Sequence, residues 1–295
     1  MSGIAAGIVT YNPDLHRLTE NVNAVLPQVD CLIIVDNASK NVEQIKKTFG
    51  EDNKIRIIEN DENKGIATAL NQILQASVEE GAEWTLTLDG DSVVPENMIE
   101  QYKKYLDMEN IAMIVPVIRD RKMQLIDVEE DTLTNAYDFV DTAITSGTLM
   151  KNSIWQQLHG FEDKLFIDYV DFDYCMRVKI AGYQILRVNS VKLLHELGNA
   201  TEIKLFTFLG KMFGKDSSIG RGFWKIRYTT NHSPMRVYYI TRNQYYYIKH
   251  YADYIDVKRL LRGMKIGWVV KLIFEKDRIK KWKAIRRGIA DGKKM

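Results

Sequence analysis

The stretch LTLDGDS puts two carboxylates, Asp89 and Asp91, two residues apart at the end of an apolar run. Hard divalent cations take oxygen ligands and share them with phosphate and water, so this pair suits a metal–diphosphate. Gly90 between them lets the backbone turn so that both carboxylates can face one side. A solvated turn is the plainer reading of three such residues alone. Two more apolar runs end in polar groups, at Thr10-Tyr11-Asn12 and at Asp36-Asn37. Further on, FIDYVDFDYCMR offers Asp168, Asp171 and Asp173. At helical spacing 168 and 171 lie on neighbouring faces, whereas 171 and 173 diverge.

Elements must bring these groups together. GIAAGIVTY, CLIIVDN, IRIIEN, EWTLTLDGDS and IAMIVPVI read as strands, and the stretches between them carry helical spacing. Gly81 and Gly182 follow helical patterns as stops. Alternating strands and helices predict an α/β fold with a mostly parallel sheet. Ligands of such sheets gather at the carboxyl ends of strands, where three polar ends in succession would converge. TEIKLFTFLGKMFGKDSSIGRGFWKIRYTTNHS reads as loop with short elements. A boundary near residue 225 separates an α/β domain, 1–225, from a helical, basic extension, 226–295.

Composition narrows the class. The chain has 295 residues, 45% hydrophobic and 27% charged, with five prolines, which fits a globular protein and not a disordered one. Cys31 and Cys175 make neither a disulfide framework nor a zinc site. MSGIAAGIVTYNP lacks the features of a secretory leader, and no apolar stretch is long enough to span a bilayer. A cytoplasmic protein is expected. The net charge of +2 hides an asymmetry: residues 256–295 carry 14 Lys or Arg against 4 Asp or Glu. VKRLLRGMKIGWVVKLIFEKDRIKKWKAIRRG mixes these cations with Trp268, Trp282 and aliphatic residues. Such a segment can lie on the anionic inner face of the plasma membrane, or pack on the chain or on a second copy as a homodimer. Nucleic acid is not an expected partner, because no recognised motif accompanies the tail and the remaining residues are net acidic.

In order along the chain come GIVTYNP, IIVDNAS, NKGIATALNQIL, LTLDGDSVVP, TSGTLMKNSIWQQLHGFEDKLFIDYVDFDYCMR and LLHELGN. This series resembles the inverting family-2 glycosyltransferases. Within them FIDYVDFDYCMR, HELGN and SPMRVYYITRN are similar to bacterial rhamnosyltransferases. The resemblance covers about residues 3–245. It implies a GT-A fold, a Rossmann-like mixed sheet flanked by helices with a C-terminal helical extension. It also implies transfer of L-rhamnose from dTDP-β-L-rhamnose, or of another nucleotide sugar, to a glycan or lipid-linked acceptor. A UDP-sugar donor such as UDP-galactose, UDP-glucose or UDP-galactofuranose is the rival, since no residue marks an apolar niche for the thymine methyl.

The resemblance assigns roles position by position. Thr10, Tyr11, Asn12 and Asp36 match the nucleotide-holding positions, and Asn63, Lys64 and Gly65 the loop beside them. Asp89 matches a ribose contact or a partner of metal-bound water, and Asp91 a direct ligand of Mn²⁺ or Mg²⁺. His195 matches a histidine that completes the metal site, and a neutral imidazole suits Mn²⁺ better than Mg²⁺. Asp171 matches the catalytic base, although Val170 stands where the family has Glu; Gly90 likewise departs from the usual Gln. Asp168 is read as acceptor-binding or a rival base. Ser146 and Gly147 match the acceptor-side loop. Trp155 stacks on a sugar or sits in the core. Arg236 and Arg242 clamp the diphosphate or reach to solvent beside helix-packing tyrosines.

Overall fold

Residues 3–120, 134–195, 201–214 and 217–295 are described by a computed structural model. They divide into two units. The first holds residues 1–166 and 170–196, the second 167–169 and 197–295. The expected boundary at residue 225 coincides with the end of a helix inside the second unit.

In the first unit the apolar runs become β1 (Ile4–Thr10), β2 (Cys31–Asp36), β3 (Ile55–Glu59), β4 (Trp84–Asp89) and β5 (Ile111–Asp120). They are joined by α1 (Leu15–Val25), α2 (Val42–Phe49), α3 (Gly65–Glu79) and α4 (Met98–Lys103). There follow β6 (Tyr137–Val140), β7 (Thr148–Lys151), α5 (Asn152–Gln157), α6 (Val170–Ile180) and β8 (Gln184–His195). The sheet order is β3-β2-β1-β4-β7-β5-β8-β6. β3, β2, β1 and β4 run parallel, as do β5 and β8, while β7 is antiparallel to β4 and β5 and β6 to β8. This is the mixed, mostly parallel sheet that the alternating pattern predicts.

Both sheet faces are covered, so the central strands read as continuous apolar runs rather than alternating ones. One layer packs Leu18, Val22 and Val25 of α1 and Ile45 of α2 against Ile8, Leu32, Ile34 and Leu88. The other packs Ala69, Ile73 and Ala76 of α3 against Ala5, Ile33 and Val35. With the faces closed, ligands are left the strand ends. Asp14 caps α1 by accepting from the Arg17 amide at 3.1 Å. Gly81 and Gly182, at φ of +79° and +82°, follow the ends of α3 and α6.

Among the described residues the second unit holds a two-stranded antiparallel ribbon, β9 (Thr201–Glu202) and β10 (Tyr228–Thr229), and five helices. They are α7 (Lys204–Met212), α8 (Ser218–Lys225), α9 (Pro234–Tyr251), α10 (Val257–Phe274) and α11 (Arg278–Gly292). The stretch read as loop with short elements therefore contains two helices. α11 lies directly on α9. A Cβ at Gly292 would stand 2.4 Å from the Arg242 carbonyl oxygen, and one at Gly288 2.8 Å from that of Tyr238. The four-residue spacing of these glycines gives the helix a flat contact face.

A charged cluster closes this unit. Glu275, 2% exposed, accepts from Lys281, itself 3% exposed, at 2.6 Å. The Thr229 hydroxyl and the Asn231 amide also donate to it, and Lys271 stands 3.5 Å away. Burial opposes ionisation of Glu275, but Lys281, Thr229 and Lys271 outweigh it and hold the carboxyl below its ordinary range. Burial, then the charges of Arg236 and Lys271, push the neighbouring His232 down to about 4, against the opposite pull of Asp168 and Glu275. His232 is thus neutral when folded and takes up a proton near 6.5 when unfolded. Below 6.5 the unfolded chain binds more protons, so this contribution to stability is full above 6.5 and is lost as pH falls towards 4. The melting temperature of wild type should fall more steeply over that window than that of His232→Gln. Parallel curves would contradict this.

Candidate active site

β1 and β2 run in parallel register with Thr10 opposite Asp36, and β1 and β4 with Val9 opposite Asp89. The three polar strand ends are therefore neighbours. Asp36 is fully buried. One of its oxygens accepts from the Thr10 hydroxyl at 2.8 Å and the other from the Ser39 amide at 2.7 Å. The Asn12 amide donates to the Ser39 hydroxyl at 2.7 Å, and the Asn12 side-chain oxygen accepts from the Lys40 amide at 2.9 Å. Between these anchored groups Tyr11 is 58% exposed. A rigid shelf with one aromatic ring presented to solvent can take a planar base by stacking.

The loop Asn63–Gly65 lies beside this shelf. Asn63 Oδ1 accepts from the Gly65 amide at 3.0 Å. The Gly65 carbonyl accepts from Asn37 at 3.1 Å, and the Lys64 amide donates to Asn37 at 3.4 Å. Asn60 donates to Asn37 at 2.9 Å and exchanges bonds with Gln72. Gly65 has φ +86°, and a Cβ there would stand 2.5 Å from the Phe166 carbonyl oxygen, which accepts from the Ile66 amide. Only glycine fits this junction. The sequence singles out Asn37 as a polar strand end but not the amides Asn60 and Gln72 that bond with it, because no spacing distinguishes those two from surface residues.

The Asp89–Asp91 turn is held from below. The Asp89 carbonyl accepts from Asn21 at 2.8 Å, and the Asp89 amide donates to the Ser146 hydroxyl at 3.1 Å. That hydroxyl in turn donates to Ser92 at 2.8 Å. Ser146 is buried at 1% exposure, under the turn. Gly147, at φ +80°, donates to the Thr87 carbonyl and accepts from the Tyr102 hydroxyl. Trp155 is 7% exposed and donates to Asn71 at 3.2 Å.

Asp91 is half-buried at the turn. An antiparallel bridge between Val93 and Leu194 brings the end of β8 alongside the segment that follows it. His195, next in the chain, therefore has its backbone beside the carboxylate turn; its side chain lies outside the described residues. Among the described residues no three His, Cys, Asp or Glu side chains form a metal-holding group. Asp91 offers hard oxygen donors in the half-open setting that a cation shared with a diphosphate requires, so the donor chemistry fits such an ion.

α6 sorts its acids. Asp173 is fully buried and bound by Arg177, at 2.9 Å through Nε. Arg177 also donates to the Leu158 and Gly160 carbonyls, tying the helix to the end of α5. Asp171, half-buried in the first turn, accepts from the Phe172 amide at 2.8 Å. The Cys175 thiol is pushed up to about 12, chiefly by burial, with the Asp171 and Asp173 charges adding to it. A thiol that stays protonated is no nucleophile.

In the second unit Arg236 grips Asp168 through two nitrogens, at 3.1 and 3.0 Å. Asn243, fully buried, donates to the Ile167 and Asp168 carbonyls at 2.9 and 2.8 Å. It thereby holds Asp168 and Tyr169 in left-handed conformations, φ +63° and +68°. Arg242 donates to Asn243 and lies over the Tyr238 and Tyr239 rings.

The glycosyl transferase family 2 model matches residues 6–169. The chain belongs to this family. A dTDP-rhamnosyl transferase, RfbF of Shigella flexneri, is 27% identical over 256 residues, covering 83% of this chain and 79% of that protein. A poly-beta-1,6-N-acetyl-D-glucosamine synthase of Staphylococcus epidermidis is 30% identical over 113 residues, 35% of this chain and 26% of that one. Among solved structures, S. aureus TarS 1-349 in complex with UDP-GlcNAc superposes with a TM-score of 0.58 at 11% identity, covering 98% of this chain and 80% of that one. GalNAc-T7 with UDP, GalNAc and Mn2+ gives 0.57 at 12%, covering 92% and 56%. The fold of this family-2 glycosyltransferase is thus GT-A. Thr10, Asp36, Asp89, Asp91 and Asp168 fall inside the family match, whereas Asp171, His195, Arg236 and Arg242 lie beyond it.

Proposed function

We propose that this glycosyltransferase moves L-rhamnose from dTDP-β-L-rhamnose to a sugar hydroxyl of a surface polysaccharide or lipid-linked oligosaccharide, with inversion to an α-linkage. The observation that carries the site is the strand register that sets Thr10, Asp36 and Asp89 side by side. The 27% identical dTDP-rhamnosyl transferase supports the donor.

In this reading Tyr11 stacks on the base, while Thr10, Asn12, Asp36 and the Asn63–Gly65 loop hold the nucleoside. Asp89 meets the ribose. Asp91 and His195 would hold a divalent cation, Mn²⁺ or Mg²⁺, and Arg236 and Arg242 are assigned to the diphosphate. The cation, when bound, neutralises charge on the departing diphosphate. Asp171 takes the proton of the acceptor hydroxyl as that oxygen attacks the anomeric carbon. The bond from that carbon to the diphosphate breaks on the opposite face, which inverts the configuration. Asp168 is assigned to the acceptor side; Ser146 and Gly147 are buried beneath the carboxylate turn, bonded to the Asp89 amide and the Thr87 carbonyl, and Trp155 is buried against Asn71.

Thermal shifts test the donor. With Mn²⁺ present, dTDP at about 100 times its dissociation constant adds about 2.7 kcal/mol of stability. UDP at the same concentration is expected to give a smaller rise in melting temperature. Equal shifts would remove the support for rhamnose and favour a UDP-sugar donor.

A further inference from the structure

Of the 19 large apolar side chains that are exposed among the described residues, 13 belong to the second unit. They are not scattered. On α7, Leu205, Phe208 and Met212 are 54, 62 and 56% exposed, at spacings of three and four that form one row. On α10, Ile266, Val269 and Ile273 are 42, 55 and 51% exposed, again at spacings of three and four. The two helices touch, with Phe206 of α7 packed edge-on against Phe274 of α10 at 5.1 Å. Lys204 and Lys211 flank the first row, and Arg262 and Lys265 the second. No helix among the described residues is long and apolar enough to cross a membrane.

We propose that the α7 and α10 rows, with the cations beside them, form a docking surface for an anionic lipid leaflet. Two exposed apolar rows on helices that touch call for a partner. Charge selects which one. Residues 197–295 carry 23 Lys or Arg against seven Asp or Glu. An isologous dimer through this face would set each group of cations against its own copy. An anionic leaflet neutralises them while the apolar rows enter the acyl boundary. The sequence alone points to residues 256–295 for such contact, and the structure redistributes it. α11 turns one face onto α9 and buries Lys281, whereas α10 keeps its row exposed and α7, outside that stretch, adds another.

The test is co-sedimentation of the full chain with vesicles of equimolar phosphatidylcholine and phosphatidylglycerol, against vesicles of phosphatidylcholine alone. Wild type should bind the mixed vesicles and not the neutral ones. The pairs Leu205→Ser with Phe208→Ser, and Ile266→Ser with Val269→Ser, should each weaken binding roughly ten-fold or more. Phe139→Ser, at a side chain 50% exposed in the first unit, should leave it unchanged. Lys204→Glu with Lys211→Glu, which removes no apolar contact, should weaken it as well. Vesicle binding absent in wild type, or unaltered by both serine pairs, would overturn the proposal. So would a dimer that the serine pairs dissociate and that ignores lipid. Nucleotide binding, measured in the same samples, keeps this result separate from the donor reading.

Discussion

Asp171→Asn is expected to lower sugar transfer by about 10²–10⁴-fold, the range ascribed to a positioned general base. Nucleotide affinity should stay unchanged, since the strand-end shelf does not include this residue. Two acids stand on α6 and one before it, and their surroundings differ. Asp173 is sealed from solvent and occupied by Arg177, and Asp168 is held by Arg236. Asp171 is half-buried at the helix start, where it accepts from the neighbouring Phe172 amide. Asparagine keeps the shape and the bond from the Phe172 amide but cannot accept the acceptor proton. Asp173→Asn should instead act on folding, because it removes the counter-charge of Arg177, whose bonds to the Leu158 and Gly160 carbonyls tie α6 to the end of α5. A folded Asp171→Asn protein that transfers at the wild-type rate would move the base elsewhere, with Asp168 the first alternative.

Glu275→Ala should destabilise the second unit by about 3–5 kcal/mol, the cost of leaving a buried charge without its partner. Lys281 sits at 3% exposure and has Glu275 at 2.6 Å. Removing the carboxylate also strips an acceptor from Thr229 and from the Asn231 amide. Lys271 loses a neighbour while burial already lowers its readiness to stay protonated. Denaturant unfolding followed by tryptophan fluorescence measures the loss. Replacing both partners, Glu275→Leu with Lys281→Met, should recover most of it, because two apolar groups leave no orphaned charge. A single Ala variant as stable as wild type would show that the cluster is solvated.

This cluster shows where the sequence ceases to be readable. Periodicity presents Lys281 as one more cation on a basic helical face. Its partner sits six residues back, across the break between α10 and α11, and spacing within one helix cannot reveal it. The same limit hid α7 and α8, whose short spans and glycines at 210, 214, 220 and 222 resemble a loop. Gly210 is instead a place where α7 approaches α8, beside Trp224, and Gly220 packs against Gly214, which follows α7. The strand ends were legible for the opposite reason. A parallel sheet covered on both faces leaves polar groups only its carboxyl ends, so Thr10, Asp36 and Asp89 had one place to meet. The depth of Ser146 and the Asn37–Asn60–Gln72 bonds beneath the loop needed three dimensions, because they join residues far apart in the chain.

Incubation of the full chain with dTDP-β-L-rhamnose and Mn²⁺ or Mg²⁺, with release of dTDP followed over time, addresses donor and mechanism together. The account predicts cation-dependent release from wild type, to a sugar acceptor or more slowly to water, and its loss in Asp171→Asn. Turnover of a UDP-sugar with none of dTDP-rhamnose, or undiminished release by the variant, would contradict it.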